Sequence, residues 1–288
     1  MWRRAAFLKP ALDALLVELP AQRRIAADPI ELPHRYRAQD DVEIAALLAS
    51  SIAYGRADLF KPRLARFLEE LGPSPAAAAR ALSPRKWKSQ LPAFSYRMTD
   101  TRDLACLLYG AGRALERHGS LGALYEKCFA VAAGDSRLAQ ARFVAAIVDV
   151  DLTPFVGQRT PSRRLKHLLA SPERGSACKR LNLFLRWMVR GPDGVDFGFW
   201  KVPKSSLVIP LDTHIHRLSG FLGLTRRKDL SYKTALEITA RLAQLDPEDP
   251  VKYDFALCHL GISGQCPSRR DVVKCAGCPI RGVCRMWV

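Results

Sequence analysis

This 288-residue chain is narrowed first by what it lacks. No apolar stretch approaches the ~20 residues that a membrane-spanning helix needs. The N-terminal stretch opens with Arg3 and Arg4, but Asp13 and Glu18 interrupt it, so no signal peptide is expected either. These absences lead to the expectation of a cytoplasmic, nucleoid-associated protein that makes no membrane contact. Period-two alternation never persists beyond a few residues, which excludes a β-rich fold. Internal repeats are absent, and the only low-complexity tract is the alanine run 76–79, which reads as helix. Acids are scarce: 28 Asp and Glu face 45 Lys and Arg, for a net charge of +17 and a pI near 9.9. A compact chain so charged predicts a polyanionic partner, nucleic acid first, because phosphate contacts release counterions. A merely soluble or ribosome-associated basic protein is the plainer alternative.

Apolar residues make up 48% of the chain, enough for one large core or two small ones. Helical periodicity runs through 41–54, 59–71, 103–118, 121–133, 138–150, 180–190, 214–222, 232–245 and 252–262. In the first of these, Ile44, Leu47, Leu48 and Ser51 share one face, with Ala45 and Ala46 beside them. The segment 197–209, with Gly198 and Pro203, is the least helical and reads as a loop or a short hairpin. The fold class is therefore all-α.

The stretch 156–190 holds nine basic residues, among them Arg163, Arg164, Lys166, Arg174, Arg180, Arg186 and Arg190, and Glu173 as its single acid. With so few acidic partners it reads as a phosphate-facing surface.

Eight cysteines in a chain of this length do not suggest a disulfide framework, because half of them crowd into the last 23 residues. Cys266, Cys275, Cys278 and Cys284 are separated by eight, two and five residues. Four thiolates in one short loop can enclose a metal centre, with zinc and iron–sulfur both open at this point. Arg269, Arg270 and Lys274 lie in the first interval, where a pinned loop would display them to a DNA backbone. Cys106, Cys128, Cys178 and Cys258 fall in helical stretches and read as core thiols.

Upstream stands Pro210-Leu211-Asp212-Thr213-His214-Ile215-His216-Arg217-Leu218, in which Asp212 or Thr213 would cap a helix. Taken alone, Asp212 is a cap. The run PLDTHIHRLSGFLGL, followed about 40 residues later by the four-cysteine loop, resembles the helix-hairpin-helix DNA glycosylase superfamily, endonuclease III and the adenine glycosylases included. The usual cysteine spacing there is six, two and five. The whole chain also resembles a bacterial family designated a domain of unknown function, DUF2400, through GSACKRLNLFLRWMVR at 175–190.

The resemblance implies two helical lobes flanking a DNA-binding cleft. Residues 41–204 would form a six-helix-barrel-like lobe carrying Lys179, and 205–288 a second lobe with Asp212 and the cysteine loop, against which N-terminal helices in residues 1–40 would pack. It implies a [4Fe–4S] cluster on the four cysteines, with zinc as the alternative, and a monomer acting on double-stranded DNA that contains a damaged or mismatched base. Asp212 matches the essential acid, whose carboxylate would stabilise charge developing on the sugar. A bifunctional glycosylase also needs a lysine that attacks C1′ and forms a Schiff base.

The glycine hairpin that precedes this lysine in endonuclease III is missing here. Lys179 is favoured over Lys201 and Lys204 because it starts a strong helix, with Gly175 four residues before it. Its 33-residue separation from Asp212 resembles the layout of archaeal 8-oxoguanine DNA glycosylases, so an oxidised purine such as 8-oxoguanine is one expected substrate. The helix dipole and Arg180 beside it would disfavour the ammonium form and favour the attacking amine. Further expectations are a DNA-contacting His214, and a base-displacing or base-stacking role for Tyr54, Arg56, Trp187 or Trp200. Two other functions remain open: a monofunctional glycosylase whose water is activated by Asp212, and a non-enzymatic iron–sulfur protein that binds nucleic acid.

Overall fold

The computed structural model describes residues 4–288; Met1, Trp2 and Arg3, and with them the first positions of the 1–40 segment, lie outside the described residues. The helices are α1 (Ala5–Glu18), α2 (Gln39–Ile52), α3 (Ala57–Leu71), α4 (Pro75–Ala81), α5 (Trp87–Gln90), α6 (Thr101–His118), α7 (Leu121–Val131), α8 (Ser136–Val148), α9 (Thr153–Val156), α10 (Arg163–Leu168), α11 (Lys179–Val189), α12 (Thr213–Leu222), α13 (Tyr232–Leu242) and α14 (Asp254–Ile262). The only sheet among the described residues is a two-stranded antiparallel one, Ser95–Tyr96 against Thr99–Asp100. The all-α expectation holds, with this small hairpin as an addition. The segment 197–209 carries a single 3-10 turn, Lys204–Ser206, and no strand. No helix among the described residues is long and apolar enough to cross a membrane.

Short polar residues set the helix starts. Ser74, Ser120, Asp135, Ser162 and Ser231 each accept a backbone N–H of the first turn of α4, α7, α8, α10 and α13. Asp100 and Asp103 form a capping box on α6. Two glycines then let α6 come close to its neighbours. A Cβ on Gly110 would stand 2.1 Å from the Ile147 carbonyl oxygen, and one on Gly112 equally close to that of Ala79. The backbones of α8 and α4 therefore sit directly on α6.

Helix α2 is the hub and packs against α4, α6, α7 and α11. Every residue from Val42 to Ile52 is buried, so the one-faced reading of this helix is corrected: its alanines and serines are enclosed as well as its leucines. Glu43 is enclosed with them. Its carboxylate accepts the Leu121 and Gly122 N–H groups at the start of α7, the Trp200 indole N–H at 2.8 Å and the Gln39 amide. Burial raises its pKa although these four donors oppose the shift.

The N-terminal segment closes on the C-terminal part of the chain. Arg4 donates to the Val283 carbonyl, and the Tyr253 hydroxyl donates to Asp13 at 2.7 Å. The His259 ring meets Asp28 at 3.0 Å. Two residues beyond Val283, Arg285 N–H donates to the Phe221 carbonyl at the end of α12.

Candidate active site

The end of α2, the start of α11 and the start of α12 converge. The connection from α10 to α11 places Gly175 and Cys178 in the left-handed region, with φ of 74° and 49°. Only the first is a glycine, so Cys178 carries local strain at the residue preceding Lys179. A backbone bond from Tyr232 N–H to the Gly175 carbonyl fastens this turn to α13. This pinned turn delivers Lys179 to the first position of α11.

Asp212 is the N-cap of α12. Its Oδ1 accepts the N–H groups of His214 and Ile215, both at 2.9 Å, which leaves Oδ2 for another partner. That oxygen lies 3.9 Å from Lys179 Nζ. Lys179 in turn donates to the Ala53 carbonyl at 3.0 Å, just past the end of α2. The cap reading and the charged-pair reading of Asp212 therefore both apply, one to each oxygen.

Two cavities meet at this lysine, and Ala53 and Lys179 line both. The first, of about 500 Å³, also holds Asp212, His214, Asp28, Asp254 and Cys258. The second, of about 570 Å³, lies on the other side of Lys179 and holds Tyr54, His167, Arg180, Lys166 and Arg174.

The first cavity is rich in acid. Asp254 is buried, and one of its oxygens meets Arg186 while the other has no hydrogen-bond partner. Burial pushes its pKa up to about 6, against the pull of Arg186, with Asp212 adding to the rise. Asp28 is also desolvated, yet the bonds from His259 and Ile30 N–H hold it below the usual carboxylate range. The Cys258 thiol is raised well above its ordinary value by burial, with the neighbouring carboxylates adding to this, and stays protonated. His214 turns inward, its Nδ1 buried and without a partner, packed on Gly261 where a Cβ would come within 2.8 Å of it.

In the second cavity Arg180 NH1 donates to His167 Nε2 at 2.9 Å, and its guanidinium lies 5.3 Å from the centre of the Tyr54 ring. No carboxylate pairs with it among the described residues, and burial lowers its pKa to about 10. Tyr54 is held by the Tyr96 carbonyl and by Thr99 at 2.6 Å.

Several expected roles are corrected. Trp187 is fully buried and Trp200 is 3% exposed with its N–H on Glu43, so neither ring has a face for a base to stack on. Arg186 and Arg190 are not phosphate-facing. The first is bound to Asp196 and Asp254, the second to Asp193, Asp196 and Asp249, acids that lie outside the basic stretch in sequence. Arg164 is exposed but pairs with Asp100 at 2.9 Å. Arg163 and Arg174 are exposed, and Lys166 is half-buried at the rim of the second cavity. Arg56 is exposed and paired with Asp58.

The sequence reading missed His167, Asp28 and Asp254 altogether. A histidine inside a basic run and two acids beside apolar residues were the available signals, and neither is distinctive without the fold.

Cys266, Cys275, Cys278 and Cys284 line one small cavity with Phe221, Met286 and Trp287. Burial raises the Cys266 thiol to about 11, and the other three thiols add to the rise. Among the described residues no group of three or more His, Cys, Asp or Glu side chains is gathered so as to hold a metal ion. Arg269 and Lys274 are exposed on this loop, while Arg270 and Arg281 lie against the Trp287 ring at 4.0 and 4.3 Å.

A family model described as "Protein of unknown function (DUF2400)" matches residues 28–263. The match takes in both cavities with Lys179 and Asp212, and ends before Cys266. No curated protein and no solved structure matches the chain.

Proposed function

The chain belongs to the DUF2400 family, and from that premise we propose that it is a DNA base-excision glycosylase with a lyase step. The observation that carries this reading is the pairing of Lys179 Nζ with the uncommitted Oδ2 of Asp212, 3.9 Å apart, where two cavities meet. A primary amine beside a carboxylate, part-shielded from water, is the equipment for attack on a sugar carbon.

In this reading the substrate is duplex DNA with a damaged or mispaired nucleotide turned out of the stack. Lys179 Nζ attacks C1′ through its lone pair, and the proton that the nitrogen sheds on bonding goes to the departing base. The N-glycosidic bond breaks and the base leaves with the bonding pair and a proton. Ring opening converts the adduct to a Schiff base, and loss of a C2′ proton then expels the 3′ phosphate. Asp212 stabilises positive charge on the sugar while the bond breaks and holds the amine in line. The N-terminus of α12 supports the anion it caps. Helices α2 to α11 would form one lobe, and α1 with α12 to α14 the other, with the DNA between them. The net charge of +17 supports a nucleic-acid partner.

The four cysteines would carry a [4Fe–4S] cluster that, when bound, pins the tail. The four line one small cavity, although no three of them are gathered to hold a single ion among the described residues. Four thiolates would suit a [4Fe–4S] cluster or a structural zinc, either of which would supply a covalent anchor for the tail.

Borohydride trapping on lesion-bearing and abasic duplexes tests the proposal. Wild-type protein cross-links and Lys179→Ala does not. Base release without cross-linking, lost in Asp212→Asn, would replace the lyase with a water-using glycosylase. If neither release nor cross-linking occurs on any duplex, the chain is a binding protein.

A further inference from the structure

Arg180 is the least compensated cation near the lysine. Its guanidinium is half-buried, has no carboxylate partner among the described residues, and lines a cavity of about 570 Å³, within the size range of small-molecule sites. A partly desolvated charge without a counterion is costly unless something completes it. The two contacts it does make orient it. The Tyr54 ring lies 5.3 Å from it, and His167 Nε2 takes one N–H. Because a guanidinium can only donate, His167 Nε2 must be the acceptor, which leaves the ring proton on Nδ1. Desolvation and the neighbouring Arg180 both lower the His167 pKa and keep the ring neutral. The remaining N–H groups of Arg180 and His167 Nδ1–H are donors without a protein acceptor among the described residues.

The lysine divides the space. A nucleoside's C1′ joins base to sugar, and a nucleophile on the wall shared by two cavities reaches that bond with the base on one side and the sugar on the other. Asp212 is on the acidic side, where it would face the sugar. We propose that the Arg180 cavity seats the extruded base, and that Arg180 and His167 select a base with a carbonyl edge, such as guanine, hypoxanthine, uracil or their oxidised forms, over the amino edges of adenine and cytosine. This rests on the glycosylase reading. At purine C6 or pyrimidine C4 a carbonyl oxygen accepts from arginine, whereas the exocyclic amine that adenine and cytosine carry there would bring donor against donor. Tyr54 holds the guanidinium in place and is a positioning residue.

The test uses the full chain carrying Lys179→Gln, so that bound substrate stays intact. Its affinity is measured for duplexes identical except at one nucleotide: 8-oxoguanine, hypoxanthine, uracil, adenine or a tetrahydrofuran abasic analogue. Carbonyl-edged bases bind about tenfold or more tightly than adenine, the scale of one good bidentate contact. Adding Arg180→Gln brings that ratio close to one and leaves the abasic analogue unchanged. Arg180→Lys, which keeps charge but not the fork, does not restore it.

If Arg180→Gln instead weakens every duplex equally, the abasic one included, and lowers the salt slope by about one, Arg180 is a phosphate contact and the proposal fails. It fails equally if selectivity survives the substitution. Trapping on abasic duplex by the wild-type chain reports separately on the chemistry. Selectivity without trapping overturns the glycosylase reading and leaves the base seat standing, while trapping with no base selectivity does the reverse.

Discussion

Lys179 Nζ and Asp212 Oδ2 lie 3.9 Å apart, while the other oxygen of the same carboxylate caps α12. One side chain thus does a structural and a chemical task with different atoms, and substitutions can separate them. Asp212→Asn keeps a capping oxygen and removes the charge. Asp212→Ala removes both and costs about 1 kcal/mol of stability. Urea denaturation of the two variants alongside borohydride trapping is the check. The Asn variant is expected to unfold close to wild type and to lose most of its trapping rate. Full trapping by Asp212→Asn would reduce the residue to a cap.

The Trp200 indole is a fastening element of the hub. Trp200→Phe removes the 2.8 Å bond to the buried Glu43 carboxylate, and a hydrogen bond to a charged group contributes about 1.5–3 kcal/mol. The expected result is a loss of that order in denaturation, with affinity for lesion duplexes unchanged under conditions where the variant is folded. A folded Trp200→Phe with selectively weakened binding to an extruded base would restore the stacking role rejected above on burial.

The acids of the first cavity give stability a pH dependence of defined sign. Burial raises the Asp254 pKa from 3.8 to about 6. The folded state therefore keeps a proton that the unfolded chain has released between those values. The contribution is fully present below pH 3.8 and is lost as pH rises through about 6, a fall on the order of 3 kcal/mol across the window. Asp28, held below its ordinary value, contributes with the opposite sign and only at lower pH. Unfolding free energies of wild type and Asp254→Asn from pH 4 to 7 isolate the first effect. The difference should move in favour of the Asn variant as pH rises, and a flat difference would show that Asp254 titrates normally.

What the sequence made legible follows from how local each feature is. The helix periods and the DTH motif depend on neighbours within a few turns, so α6, α11 and α12 were readable to within a residue or two. Helices within residues 1–40 were expected from the resemblance, but the bounds of α1 were not readable, because Pro10, Lys9 and Asp13 blur its apolar period, and contact with the C-terminal tail completes it. In α2 burial extends beyond the face the period picks out, since serines and alanines pack as tightly as leucines once neighbouring helices surround them. Arg186 looked like a surface cation because its partners lie 10 and 68 residues away. The Arg180 cavity draws on α10, α11 and the residue beyond Ala53, three places that no local pattern connects.

The cysteine tail offers the last prediction. It is fastened to the end of α12 through Arg285 and Phe221, to the middle of that helix through Arg217 and the Cys266 carbonyl, and to α1 through Arg4 and Val283. Asp212 caps the opposite end of α12. A cluster at the four cysteines would therefore hold the far end of the helix that presents the acid. Protein purified without oxygen should show broad visible absorption and bound iron. Cys275→Ser with Cys284→Ser should remove both and expose the segment after Cys266 to proteolysis. Trapping should then fall through weaker DNA binding rather than a slower reaction of bound complex, because Lys179 and Ala53 are anchored elsewhere. A colourless protein with one zinc per chain would overturn the cluster and leave the pinned tail. Retained order and binding in the double variant, with no metal present, would show that the packing of Phe221, Met286 and Trp287 around the thiols is sufficient.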